Sequence, residues 1–413
     1  MSNSLDIIII GGGAAGFFAG IVCAENNPLT RVTIIEGSAK VLGKVRISGG
    51  GRCNVTHHCF DPAELVTYYP RGGRELRGAF TRFQPQDIIN WFEKRGVRLK
   101  TEADGRVFPV TDSSQTIVNC LIKAAENAKI DIKLKSEVVA LKLQENQFKV
   151  RLKHGESLRG DRILLATGSS ARGYQLAKSL SHEIITPLPS LFTFKIKDSR
   201  FQGLEGISVD SVGLKLSGKG KNKTAQQSGS LLITHWGISG FGVLKLSAFG
   251  AKILAENNYQ MLLSINWLFP DNPQQVKEKL IEIQSQYRQS RQQISSFCPF
   301  PLPKRMWQRL LNFIAVDSQK KWSELSKNEL IKLAKELTQG EYKILGKGVF
   351  KDEFVTCGGV KLKEVNFSTM ESKVCQHLYF AGEVLDIDGV TGGFNFQSAW
   401  TTGWLAGLAL SKS

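Results

Sequence analysis

Near the start of the chain the hydrophobic pattern switches from strand to helix and back to strand. After Asp6 the run Ile7-Ile8-Ile9-Ile10 is wholly apolar and β-branched. That is the pattern of a strand buried on both faces of a parallel sheet. It stops at Gly11-Gly12-Gly13-Ala14-Ala15-Gly16, and the apolar stretch beyond predicts a helix over Phe17 to Glu25, broken by Asn26-Asn27-Pro28. Arg31-Val32-Thr33-Ile34-Ile35 predicts a second strand with Glu36 at its tip, followed by Gly37. The 18 residues from Ile7 to Ala24 carry no charge, which is long enough for a membrane span. Five glycines inside the stretch and no basic segment before it fit strand, turn and helix instead.

The same grammar recurs further along. Glu137-Val138-Val139 and Phe148 to Leu152 read as strands of a meander, and Ile163-Leu164-Leu165 as an apolar strand ending in Ala166-Thr167-Gly168. Short strands are predicted between about 190 and 270, among them Ser208 to Ser217 and Ser230 to Ile233. Between these two, Gly218-Lys219-Gly220-Lys221-Asn222-Lys223 reads as a solvated hairpin tip. Residues 273–340 read as helical, with Ser326-Lys327-Asn328-Glu329 as a capping box. Near the C-terminus Leu378-Tyr379-Phe380 is again an apolar strand, ending at Ala381-Gly382-Glu383. Past Asp388-Gly389 and Gly392-Gly393-Phe394-Asn395, an apolar helix is predicted from about Phe396 to Leu410. The implied fold class is α/β, organised as 1–190, a β-rich insert 191–272, a helical insert 273–345, and a return to the first domain over 346–413.

The first turn carries the chemistry. Gly11, Gly13 and Gly16 satisfy GxGxxG between a strand and a helix, with an acid at the next strand's tip. Gly11 permits the tight turn, Gly13 lets a pyrophosphate approach the backbone, and Gly16 lets helix and strand pack closely. The helix N-terminus, with Ala14 and Ala15, offers free N–H groups to the diphosphate, and Glu36 suits ribose hydroxyls while repelling a 2′-phosphate. The chain holds one such fingerprint, so a nicotinamide docks transiently or the electron partner is something else. A second glycine-rich stretch holds Lys44, Ser48, Gly49, Gly50, Gly51, Arg52, Cys53 and Asn54. It reads as a loop whose amides approach a flat ligand while Arg52 and Asn54 donate at the ligand's edge; the alternative is a surface loop.

Composition narrows the picture only slightly. The 54 Lys and Arg against 37 Asp and Glu leave a formal charge of +17, which speaks to association with anions and not to fold. Arg71, Arg74, Arg77 and Arg82 are the densest arginine group; no nucleic-acid-reading motif accompanies them, so a nucleic-acid partner rests on charge alone. Seven scattered cysteines without a CxxC pair argue for a reducing compartment, the cytoplasm, and against a metal site.

Over nearly its whole length the chain resembles a BaiN-type family of flavoproteins with a single Rossmann fold, whose members include aminoacetone oxidases and bile-acid reductases. The matching segments are Ser48-Gly49-Gly50-Gly51-Arg52-Cys53-Asn54, Thr234-His235-Trp236-Gly237-Ile238-Ser239-Gly240 and Thr369-Met370-Glu371-Ser372-Lys373. To these add Phe380 through Gly389 and Gly392-Gly393-Phe394-Asn395. The resemblance implies a glutathione-reductase-type FAD-binding Rossmann domain interrupted by the two inserts. It implies FAD as cofactor, and it adds Gly37, Val138, Val139, Ala166, Thr167, Gly168, Gly382, Glu383, Asp388, Gly393, Phe394 and Asn395 to the residues that contact FAD. It also aims the N-terminus of the last helix at the flavin, where the dipole favours negative charge. The chain departs from the family in the short connection after Gly168, in Phe241 where a proline is usual, and in His57 where an asparagine is usual.

Four side chains are candidates beyond cofactor binding. Cys53, beside Arg52, is either a redox thiol or a packing residue. His235 is either a proton donor or acceptor or a backbone-bonded histidine. Lys44 either balances anionic flavin or phosphate or is merely solvated, and Glu383 reads as a cofactor ligand and not a base. Three functions follow: an FAD-dependent oxidoreductase on a small molecule, exchanging electrons with NAD(P)H or oxygen; a flavoprotein acting on tRNA or other nucleic acid; or a non-catalytic redox sensor.

Overall fold

The isoleucine run at the start of the chain forms the strand Asp6–Ile10, parallel to Arg31–Ile35 on one side and Arg162–Leu165 on the other. In the computed structural model, which describes residues 4–218, 224–348 and 355–412, Ile7 to Ile10 are buried. Across the sheet the order is Val365–Asn366, Glu371–Ser372, Leu378–Phe380, Arg162–Leu165, Asp6–Ile10, Arg31–Ile35 and Asp131–Lys133. The last five strands are parallel throughout. This is the expected α/β dinucleotide-fold architecture. It belongs to a unit made of Met1–Pro187 and Val355–Ser413.

The first helix, Ala14–Asn26, is apolar on all sides, and so is the C-terminal helix, Phe394–Leu410. Helices without a polar face must be buried, and these two pack on one another. Small residues set the distance: a Cβ on Gly403 would lie 2.8 Å from the Ala15 carbonyl oxygen, and one on Gly407 2.6 Å from that of Ala19. The two ends of the sequence therefore share one core. The meander is present as Val138–Gln144, Gln147–Leu152 and Ser157–Gly160, all antiparallel.

The second unit, Leu188–Phe354, is built on a closed barrel. Its strands run in the order Phe194–Ile196, Gly237–Ser239, Thr224–Thr234, Ser208–Ser217, Met261–Asn266 and Gly340–Lys347. Closure removes exposed strand edges. The hairpin of Ser208–Ser217 with Thr224–Thr234 is there; most of its anticipated tip, 219–223, lies outside the described residues. Helices Pro273–Gln286, Lys304–Phe313 and Lys327–Gln339 share the barrel's core. The Ser326 hydroxyl accepts from Glu329 N–H at 3.2 Å and the Glu329 carboxylate accepts from Ser326 N–H at 2.7 Å, closing the capping box. The helical reading fails over 287–303, where Pro299, Pro301 and Pro303 interrupt the pattern, and again over 314–326, which holds only the short 3-10 turn Trp322–Glu324. Among the described residues no helix is long and apolar enough to cross a membrane.

Candidate functional site

The first turn is built as its glycines require. Gly11 sits at φ +116° and its N–H donates to the Ile35 carbonyl at 2.9 Å, locking the turn to the second strand. A Cβ on Gly16 would collide with the Gly11 carbonyl oxygen, whereas one on Gly13 meets nothing within 4 Å. Gly13 is the N-cap of the first helix; the helix has no side-chain cap and no acid in its first turn. Its unpaired N–H groups thus face open space, the condition for holding a diphosphate.

Glu36 stands beside that opening. One carboxylate oxygen accepts from Gly12 N–H and the other from Ser38 N–H, both at 2.8 Å. Each oxygen keeps a lone pair for a hydroxyl donor. Ser136 N–H donates to the Glu36 carbonyl at 2.9 Å, and a Cβ on Gly37 would lie 3.7 Å from Glu137 Cα. Val138, buried, and Val139, half-buried, are brought to the same edge.

The second glycine-rich stretch is not the simple loop expected. Gly43–Gly51 is helical but broken at Ser48, with ψ 152°, and Gly49, Gly50 and Gly51 follow at φ +56°, +69° and +84°. Cβ atoms on Gly50 and Gly51 would meet nothing within 4 Å, so this backbone also borders open space. Arg52 turns elsewhere: its guanidinium donates to Glu102 at 2.7 Å and lies 4.0 Å from the Phe108 ring centre. Cys53 is fully buried, and burial pushes its thiol up to about 12 against the pull of Ser48. Burial at this position disfavours the thiolate that a redox role would need.

Asn54 ties this stretch to the end of the chain. With its amide oriented by its partners, its oxygen accepts from Gly393 N–H at 2.9 Å and its nitrogen donates to the Thr56 carbonyl at 2.9 Å. Thr56 Oγ1 donates to Gln397 at 2.6 Å and Trp400 Nε1 to the Val55 carbonyl at 2.9 Å. Gly393, at φ +97°, begins a second helix without a side-chain cap. Asn395 bonds Gly389 through both ends of its amide, at 2.9 and 2.8 Å. Phe394 stacks on Tyr68 at 4.3 Å and on His57 at 4.7 Å. His57 Nε2 meets the Asp104 carbonyl at 3.0 Å, while buried Nδ1 has no partner among the described residues; burial lowers the ring's pKa.

Between these two edges stands Glu383. It forms an ion pair with Lys44 and accepts from Thr356 N–H at 3.0 Å, while Lys44 also reaches Ser169 Oγ at 3.4 Å. Gly382 N–H donates to Thr402 Oγ1 at 2.9 Å, and a Cβ on Gly382 would come within 2.9 Å of that of Ala15. A Cβ on Gly168 would lie 3.6 Å from the Glu383 carboxylate. Ala166 N–H donates to the Ile10 carbonyl at 2.9 Å. Among the described residues the buried Thr167 and Tyr174 hydroxyls have no hydrogen-bond partner, and Tyr174 lies near the Glu383 charge. Two open glycine edges, two uncapped helix starts and two orphaned hydroxyls in one unit fit a bound dinucleotide.

Sequence reasoning missed one partner. It groups Arg71 with Arg74, Arg77 and Arg82 as surface charge, but Arg71 is only 12% exposed and pairs with fully buried Asp388. Asp388 thus has both oxygens on Arg71, and its carboxylate anchors the loop that leads to Gly393. The two glycines that follow the arginine, Gly72 and Gly73, were the available signal. His235 belongs to the second unit, exposed in the turn between Thr224–Thr234 and Gly237–Ser239, with Glu205 in its electrostatic surroundings.

Comparison with known proteins agrees with this geometry. A 3-dehydro-bile acid delta(4,6)-reductase of Clostridium scindens is 30% identical over 412 residues, covering 98% of each chain. A ribosomal RNA dihydrouridine synthase of Escherichia coli K12 is also 30% identical, covering 97% of this chain and 96% of that one. A 3-ketosteroid-delta4-(5alpha)-dehydrogenase from Rhodococcus jostii shares the fold at TM-score 0.53 and 13% identity, over 100% of this chain and 98% of the other. The family model described as the HI0933-like protein Rossmann domain matches residues 5–409. The chain belongs to the HI0933-like Rossmann family.

Proposed function

We propose that the protein is an FAD-dependent oxidoreductase that reduces a carbon–carbon double bond conjugated to a carbonyl in a small molecule. The observation that carries the cofactor half is the open backbone at Gly13, Gly50 and Gly51, with Glu36 bonded to the first turn and Glu383 paired with Lys44. FAD, when bound, supplies two-electron transfer. The residues of the chain bind and orient it. The N–H groups beyond Gly13 take the diphosphate, and Glu36 accepts from ribose hydroxyls. Lys44 and Glu383 hold the middle of the site, and the helix beginning at Gly393 offers its positive end to negative charge on the reduced ring. With a single dinucleotide fingerprint, NAD(P)H supplies the two electrons of the reduction from a transient site, without a resident nicotinamide fold.

The substrate half rests on the relatives. A delta(4,6)-reductase of a 3-dehydro bile acid and a dihydrouridine synthase act on different molecules, yet both names describe saturation of a double bond conjugated to a carbonyl. A second reading applies the same reduction to uracil rings in RNA; the formal charge of +17 favours it. The test is spectroscopic. The purified protein is expected to show flavin absorption that NADH or NADPH bleaches under anaerobic conditions. The bleached protein is expected to be reoxidised by a 4,6-dien-3-one steroid or by uridine, but not by an isolated alkene. A folded protein that takes up no flavin would overturn the cofactor half; equal reoxidation by the alkene would overturn the substrate half.

A further inference from the structure

The second unit contains 24 Lys and Arg against 14 Asp and Glu, a formal +10. The excess is not spread evenly. Between Glu282 and Asp317 there is no acidic residue, while Arg288, Arg291, Lys304, Arg305 and Arg309 supply five cations. All five are exposed, and among the described residues none takes part in an ion pair. Some cations on neighbouring elements of the same unit are paired, namely Lys279 with Asp271, Lys320 with Glu329 and Lys321 with Glu324.

The five belong to one packed piece of structure. Trp307 Nε1 donates to the Ile294 carbonyl at 2.7 Å and Gln308 Nε2 to that of Ser295 at 3.1 Å, so the segment 287–303 lies against the helix Lys304–Phe313. On that helix Met306, Trp307, Leu310 and Leu311 are buried. At 3.6 residues per turn the opposite arc holds Lys304, Arg305, Gln308, Arg309 and Asn312. Lys304 and Arg305 occupy the first turn, where the helix dipole disfavours cations and the turn itself holds no acid. The acid whose charge reaches Arg305 is exposed Glu205. The same segment carries Phe297, 37% exposed, its ring 5.5 Å from that of Tyr287.

Exposed, unpaired cations interleaved with an exposed aromatic ring match a phosphate backbone and an unstacked base. We propose that residues 287–313 form an RNA-binding face, with phosphates on the five cations and a base stacked on Phe297. This rests on the RNA reading of the site given above.

The experiment measures fluorescence anisotropy of a fluorescein-labelled, uridine-containing RNA hairpin with the full-length holoprotein, between about 50 and 200 mM salt. Replacing Lys304, Arg305 and Arg309 together by Gln is expected to cut the log–log salt slope by roughly 2 to 3 and to weaken binding at low salt by about tenfold or more. Phe297→Ala is expected to weaken binding about fivefold or more. The control replaces exposed Lys142, Lys149 and Arg151 of the first unit by Gln and is expected to bind as the unaltered protein does. All these positions are exposed, so unchanged thermal melting establishes that the variants fold. Wild-type affinity in the helix variant, or an equal loss in the control, overturns the proposal. Mass spectrometry of the hairpin after NADPH addition separates the two ideas. A hairpin bound through this face but not reduced leaves the face standing and removes the RNA reading; a hairpin reduced while the helix variant binds normally removes the face.

Discussion

At the scale of single residues, two glycines three positions apart have different jobs, and the structure separates them. A side chain at Gly16 would strike the Gly11 carbonyl, whereas one at Gly13 would enter open space. Gly13→Val is therefore expected to fold with near-normal melting but to be purified without flavin. Gly16→Val is expected to lose stability itself, by about 1–3 kcal/mol or more for overpacking. Flavin-to-protein absorbance ratios and thermal melts distinguish the two, and normal flavin content in Gly13→Val would refute the cradle. A second residue-scale expectation concerns His182, which is 3% exposed, with Nε2 2.7 Å from Ser372 Oγ and Nδ1 3.2 Å from the Ala177 carbonyl. Burial lowers its pKa from 6.5, partly offset by the Ala177 carbonyl. The folded protein then binds fewer protons than the unfolded chain in the window from 6.5 down to the lowered value, so stability falls as pH falls through it. Urea midpoints measured across that window are expected to decline toward acid, and His182→Asn is expected to flatten the decline; His57, lowered likewise, supplies what remains.

Among the elements, those specified by local pattern were legible and those specified by distant partners were not. Four successive isoleucines, a glycine turn and an acid at the next strand tip fix strand, helix and strand within one stretch of sequence, and the hairpin from Ser208 was legible by alternation. Gly43–Gly51 was not: three glycines signal a loop, yet the preceding residues wind into a helix that breaks only at Ser48. The barrel was not legible either, because Gly340–Lys347 closes it by pairing with both Phe194–Ile196 and Met261–Asn266, partners no local period announces. The helix pair is an intermediate case. Its apolarity was plain in the sequence, but its spacing depends on Gly403 and Gly407 meeting Ala15 and Ala19. Gly407→Leu would place Cβ 2.6 Å from the Ala19 oxygen and 2.8 Å from Val22 Cβ. It is expected to lower the melting temperature and, by tilting the helix that starts at Gly393, to weaken flavin retention; a variant with unchanged melting would show that the two helices yield easily.

For the whole molecule, the decisive feature is that the candidate site is assembled from both ends of the sequence. The turn at Gly11 to Gly16 and the stretch ending at Asn54 come early, while Glu383 and Gly393 come late, and Asn54 joins them through the Gly393 amide. A ligand held by such a site must order both ends at once. Binding to the folded state alone stabilises it by about 2.7 kcal/mol at a hundredfold excess over Kd, and that stabilisation is shared by every segment the ligand contacts. Adding FAD to apoprotein is therefore expected to slow amide hydrogen exchange at residues 11–16, 49–54 and 393–398 together, with the same dependence on FAD concentration. Protection confined to the N-terminal turn would mean that the last helix is only a core element lying on the first, and that Gly393 faces no cofactor. Concerted protection is the outcome that the uncapped helix starts at Gly13 and Gly393 require, since each leaves N–H groups that a single elongated anion-bearing ligand is able to satisfy at its two ends.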